Sequence, residues 1–247
     1  MDATACANCA RTIDGEAQKF CPACGQPTPA RRIDWGFMRD QFQHDVLNMD
    51  RGLLHTLKRL IVRPGKLLRS YIDGQREGIV KPLPLLMIMS AVILLLTSYV
   101  TGAPPLDPPA SNASPGAISV NKWVNEHLAL FTVLLIPMEA LFFKIAFRRF
   151  KTVNYPEWLA ILAYLTSQGF VIWSVVQLFQ GWLPLLVVQL IGGFGTMSYA
   201  IVSLMQFFRE APWWNILLRG FLAHLMFIVG QSVILRTAES LVGALIA

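Results

Sequence analysis

The chain has 247 residues, of which 54% are hydrophobic and 15% charged, against about 25% charged in ordinary soluble domains. That balance excludes one water-soluble domain as the whole of the molecule. The net charge of +6 is concentrated: Arg51–Pro82 carries eight Lys/Arg against Asp73 and Glu77, a net +6, so the remainder sums to zero. A basic isoelectric point near 9.4 therefore argues for a membrane surface and against nucleic acid as the partner.

The first ten residues open with an acid and lack an apolar core, so no cleavable signal is expected and the first span is expected to direct insertion. All four cysteines precede position 25. Cys6-Ala7-Asn8-Cys9 and Cys21-Pro22-Ala23-Cys24 are two C-x2-C pairs separated by eleven residues, the spacing of a four-cysteine zinc ribbon. Each pair turns two thiolates toward one ion. Gly25 supplies a residue free to adopt positive φ after the second knuckle, and Asn8 is the residue expected to relax the first. With all four ligands protein-derived the zinc is structural and has no open position for chemistry. A redox dithiol pair and a rubredoxin-like iron site are the competing readings of the same spacing.

Pro27, Pro29 and Arg31-Arg32 mark a linker that closes the 1–30 segment. Over 31–81 the pattern turns helical: Asp34 is placed to cap, and Trp35, Met38, Phe42, Val46 and Met49 recur at helical spacing. Leu53, Leu54, Leu57, Leu60 and Ile61 continue an apolar face opposite Lys58, Arg59 and Arg63. Pro64 opens a further short helix through Leu67-Leu68-Tyr71-Ile72, and Gly74 stops it. These amphipathic basic helices are expected to lie in the membrane interface, apolar side toward the acyl chains. Arg63, Lys66, Arg69 and Arg76 are then the expected contacts to anionic headgroups.

Residues 82–247 hold the spans, each needing about 20 apolar residues. They are placed at about 82–100, 128–147, 157–180, 184–207 and 215–235. The loop 101–121, with five prolines and no Lys/Arg, is expected to be irregular and outside. Asn112-Ala113-Ser114 in that loop matches a glycosylation triplet and is given little weight. The apolar tail 240–247 is too short to cross. Lys/Arg at 51–81, 144–151 and 209–219 alternate with bare turns, which puts the N-terminus in the cytoplasm and the C-terminus outside.

Within the spans Glu139 stands out, near mid-membrane and two residues after Pro137. A charge at that depth costs several kcal/mol unless neutralised or paired, so it is expected to face the bundle interior. Gln168, Gln189 and His224 are the polar residues expected to converge on it, either as a solute or proton site or as interhelical glue. No phosphate loop, nucleophile elbow, H-E-x-x-H or G-x-G-x-x-G occurs.

The combination of FCPACGQ with NMDRGLLHTLKRLIVRPGKLLRSYIDGQREGIVKPLPLL resembles a family of uncharacterised bacterial integral membrane proteins. Its members join an N-terminal zinc ribbon to several membrane spans. The resemblance covers residues 6–27 and 44–90, through Asp50-Arg51-Gly52, Thr56, Arg63-Pro64-Gly65, Tyr71-Ile72, Gly74-x-Arg76 and Lys81-Pro82. It implies a cytoplasmic ribbon and an inner-membrane location, and brings no activity. Ala10 stands where the family usually has glycine after the second cysteine.

The expected molecule is thus an all-α polytopic membrane protein of about five transmembrane helices, with a small zinc ribbon and interfacial amphipathic helices. Its expected role is docking of an unidentified protein partner, helped by anionic lipid, with a second copy of the chain admissible as a partner. A small transporter or channel using Glu139 is the alternative, and a lipid-acting membrane enzyme a weaker one.

Overall fold

A computed structural model of the protein describes residues 5–13, 18–44, 52–102 and 113–246. Val46, Met49, the Asp50-Arg51 pair and Asn112 lie outside the described residues. Among those described the protein is helical: α1 Trp35–His44, α2 Leu53–Val62, α3 Pro64–Ile72, α4 Pro82–Thr101, α5 Pro115–Glu126, α6 Leu128–Ala146, α7 Tyr155–Gln177, α8 Leu185–Phe207 and α9 Trp213–Ile246. Helices α4, α6, α7, α8 and α9 are long and apolar enough to cross a membrane. Each of the five expected spans falls on one of these helices, with ends shifted by a few residues except in α9, which continues from the expected end at 235 to Ile246.

Helix starts follow their local chemistry. Asp34 Oδ1 accepts from the Phe37 N–H at 2.7 Å and opens α1. Pro64 occupies the first position of α3, where its missing N–H is no loss. Asn154 and Glu157 form a reciprocal capping box at the start of α7, which moves that span's start from the expected 157 to 155.

Two expectations about the non-basic end of the bundle require correction. The loop 101–121 is not irregular throughout: Ser114 caps at the Ala117 N–H and α5 begins at Pro115. The Ser-Pro pair is a helix-start signal that outweighs the sparse apolar pattern behind it. The tail after residue 240 is the continuation of α9, whose 34 residues reach about 50 Å at 1.5 Å per residue, well beyond the roughly 30 Å of hydrocarbon. Helix α5 packs on that overhang, and Gly116 leaves no room for a Cβ against the Glu239 carbonyl.

The core sits at the opposite, basic end. Leu60, Leu67, Leu68 and Tyr71 are at most 1% exposed and join one cluster with Leu85, Phe147, Trp158, Ile161 and Leu204. The apolar side of α3 is thus packed on the long helices rather than turned to acyl chains, because membrane-helix side chains offer the same apolar surface with fixed shape. Tyrosines of the spans fasten the joint: Tyr164 donates to the Val80 carbonyl at 2.7 Å and Tyr199 to the Leu60 carbonyl at 2.8 Å. Within α2, Leu54, Ile61 and Val62 keep apolar side chains exposed.

Candidate metal centre and its seat on the helices

The two cysteine pairs fold as near-copies. Cys6 N–H donates to the Arg11 carbonyl and Ala10 N–H to the Cys6 carbonyl; Cys21 and Gly25 repeat both bonds with Gln26 and Cys21. Bridges Ala5–Thr12 and Phe20–Pro27 close the base of each turn. Each turn needs one residue at positive φ. In the second this is Gly25 at +77°, as expected; in the first it is Ala10 at +60°, not Asn8. The bond from Ala10 back to Cys6 fixes which residue must adopt it.

The four Sγ atoms lie within 4.8 Å of one another. Cys6 and Cys24 approach to 3.7 Å and Cys9 and Cys21 to 3.6 Å, so the contacts join the two knuckles rather than running within each. All four cysteines are free thiols. The crowding splits their acidities. The Ala23 backbone N–H, helped by that of Cys24 and by the neighbouring thiols, lowers Cys21 to about 6. The Arg11 backbone bond also favours the Cys9 thiolate, but desolvation and the other three sulfurs push Cys9 up to about 11. A bound cation removes that conflict by taking all four as thiolates.

The cysteine segment is seated on the helices by residues that follow it. Gln26, 3% exposed, donates to the Gly74 carbonyl at 3.1 Å and accepts from the backbone N–H groups of Arg76 (3.2 Å) and Glu77 (3.0 Å). Gly74 holds φ at +97°, and a Cβ there would stand 2.9 Å from that of Ala30, so glycine is required twice over. Arg76 donates to the Tyr71 and Arg31 carbonyls and stacks on Phe37 at 4.3 Å. Burial lowers its pKa below the ordinary arginine value, against the aid of Tyr71 and Tyr164.

Arg32 reaches the start of α7. It donates to both carboxylate oxygens of Glu157, at 2.7 and 3.1 Å, and to the Thr152 carbonyl at 3.1 Å. The hydrogen bond and the charge of Glu157 raise the arginine pKa. Asn154 completes the seat by donating to the carbonyl of Ile33, itself 1% exposed. Sequence reasoning passed over Gln26, Arg32 and Glu157. The N-x-x-E capping signature at 154–157 was the one sign that Glu157 does more than begin a span.

The remaining expected site residues make the following contacts. Arg63, Lys66 and Arg69 are exposed, with Arg69 over the Phe207 ring at 5.2 Å. Arg76 faces protein partners. Glu139 is 9% exposed and accepts from Thr166 at 3.4 Å. Gln168 is 3% exposed and its Oε1 has no hydrogen-bond partner among the described residues. Gln189 lies on an exposed side of α8, and His224 faces the Phe227 ring at 6.5 Å. No hydrogen bond joins Glu139 to Gln168, Gln189 or His224 among the described residues.

Residues 50–94 match a family described as "Protein of unknown function (DUF3667)". No curated protein and no solved structure matches the chain. The matched stretch is the joint itself. Gly65 of the Arg63-Pro64-Gly65 run leaves no room for a Cβ against Gln206 of α8, buried Thr56 accepts from the Val80 N–H at 3.0 Å, and Gly74-x-Arg76 is the seat for Gln26.

Proposed function

We propose that the protein is an inner-membrane protein whose cysteine segment is a structural zinc ribbon on the cytoplasmic side. In this reading the ribbon presents a docking surface to a protein partner, and Arg63, Lys66 and Arg69 hold anionic headgroups beside it. The observation that carries the zinc reading is the sulfur geometry. Thiolates at about 2.3 Å around a tetrahedral ion stand about 3.8 Å apart, close to the 3.7 and 3.6 Å contacts across the two knuckles. Zinc bound there would hold the knuckles closed and keep Gln26 in register with Gly74. The docking reading is supported by Phe20, 61% exposed beside buried Cys21 on a segment fixed to the helices. An exposed aromatic on a rigid support suits a partner's pocket.

Metal analysis of full-length protein purified under reducing conditions tests the first part: about one zinc per chain is expected, and iron in its place would replace the zinc assignment. Photo-crosslinking from position 20 in native membranes tests the second. A discrete adduct absent in the unirradiated control, and not formed from position 118 on α5, is expected. Equal, diffuse labelling from both positions would remove the docking role.

The transport alternative keeps one supporting observation. Glu139 is enclosed in mid-span with a single long hydrogen bond from Thr166, next to a helix carrying the Oε1 of Gln168, which has no hydrogen-bond partner among the described residues. Solute or proton flux in proteoliposomes that disappears in Glu139→Gln would favour it over docking.

A further inference from the structure

A groove of about 590 Å³ lies between α4 and the first half of α6, within the roughly 300–1,000 Å³ of small-ligand sites. Met87, Ala91 and Leu94 form one wall; Leu130 and Val133 form the other. Met87 and Leu130 are 48% and 49% exposed, so the mouth is on the outer surface of two helices that are candidate membrane spans. Its walls hold almost no polar group: the Ser90 hydroxyl is committed to the Met87 carbonyl at 2.8 Å. Polar side chains occur at the ends. Lys81 stands at one, Glu126 and His127 at the other, where Glu126 is 4.0 Å from Lys122 and His127 bonds the Trp123 carbonyl.

A polar solute would lose its hydration in this groove without replacement. A hydrocarbon chain loses nothing, and the medium around α4 and α6 in a membrane consists of such chains. From Lys81 to Leu94 the helix rises about 20 Å, slightly more than one leaflet of a roughly 30 Å hydrocarbon layer. The Lys81 end closes the basic block Arg51–Lys81, which carries the whole net charge of the chain; the other end has Glu126 and Lys122 in balance. The charge asymmetry sets the direction of an amphipathic occupant.

We infer that the groove holds one acyl chain of an anionic phospholipid, with the headgroup phosphate at the Lys81 end. The site is distinct from the exposed Arg63, Lys66 and Arg69 and does not depend on the cysteine segment having a partner. It differs from general lipid contact in that one molecule is enclosed on two sides and selected by charge.

The test uses full-length protein in nanodiscs of equal phosphatidylglycerol and phosphatidylcholine, re-extracted into mild detergent and weighed by native mass spectrometry. One retained phosphatidylglycerol per chain is expected. Ala91→Trp and Leu130→Trp fill the groove from opposite walls, and each should lose that molecule while keeping the wild-type melting temperature within a few degrees. Lys81→Gln should lower the preference for phosphatidylglycerol about fivefold, equivalent to the roughly 1 kcal/mol of one basic residue near an anionic surface. In the wild type, phosphatidylglycerol carrying a photoreactive acyl chain should label the peptides containing Met87 and Leu130. Equal retention of the two lipids, unchanged retention in both tryptophan variants, or labelling only of other peptides overturns the inference. A dimer with no bound lipid would assign the groove to a second copy and overturn it equally.

Discussion

Arg32 and Glu157 are 125 residues apart in sequence and form a two-pronged ion pair, with the shorter contact at 2.7 Å. The carboxylate is 2% exposed and the guanidinium 59%. Removing the partner of a fully buried charge costs about 3–5 kcal/mol; with one side in solvent the loss falls to about 1–2 kcal/mol. Arg32→Ala is expected to lower the melting temperature of the detergent-solubilised protein. Glu157→Gln keeps the acceptor for the Asn154 N–H and so the capping box. In the Glu157→Gln background, Arg32→Ala should cost markedly less. Additive losses in the double variant would mean that the pair is not coupled.

The strained turn at Ala10 can be relieved. An L-residue near φ +60° costs about 1–2 kcal/mol, and glycine returns about 0.4–1 of that as extra freedom of the unfolded chain. Ala10→Gly should therefore tighten metal binding by about 0.5–1 kcal/mol, or twofold to fivefold in a chelator competition. Gly25→Ala, at φ +77°, is the reverse exchange and should weaken it by the same amount of about 0.5–1 kcal/mol, or twofold to fivefold. An Ala10→Gly protein that binds metal more weakly would contradict the assigned turn.

Gln26 separates the metal centre from its seat. Its side chain makes three hydrogen bonds to the 74–77 turn, whereas the knuckle uses only its carbonyl, which accepts from the Cys21 N–H. Gln26→Ala should leave the metal content unchanged and cost about 2–3 kcal/mol for the orphaned backbone groups. Limited proteolysis within residues 27–33 should accelerate. Metal loss with unchanged protease resistance would place the role of Gln26 inside the knuckle.

The Lys/Arg distribution predicts the topology. Reporter fusions should place residues 30 and 150 in the cytoplasm and residues 110 and 247 outside. Exposed aromatics agree with two interfacial belts: Trp213 and Trp214 at the start of α9, Tyr99 near the far end of α4 and Trp182 in the turn between α7 and α8. A fusion at 247 active only in the cytoplasm would mean that α9 re-enters or that one helix does not cross.

Hydropathy and caps made the long helices legible, because apolar runs and Pro, Gly and Asn signals are local. The cysteine spacing likewise encodes its own geometry. What stayed hidden is long-range pairing. Nothing near Arg32 marks Glu157 as its partner, and Gln26 reads as one more polar residue after a zinc-ribbon motif. The amphipathic pattern of α3 was visible, but an apolar face cannot state whether protein or lipid will cover it. The same limit applies to Gln189 and His224, which share only polarity with Glu139 and which no hydrogen bond joins to it among the described residues.

The length of chain between Arg32 and Glu157 also sets an order of events during synthesis. Cys6 to Cys24 leave the ribosome together and can take up metal while most of the protein is still unmade. Their seat is complete only when Glu157 follows Arg32 by 125 residues, about 6–25 s at 5–20 residues per second. Until the 74–77 turn follows Gln26 by about 50 residues, the cysteine segment would depend on whatever metal its four thiols take up. From then until Glu157 it would depend on the Gln26 bonds as well, so a cell short of metal would confront the insertion machinery with an unfolded segment just before the first span.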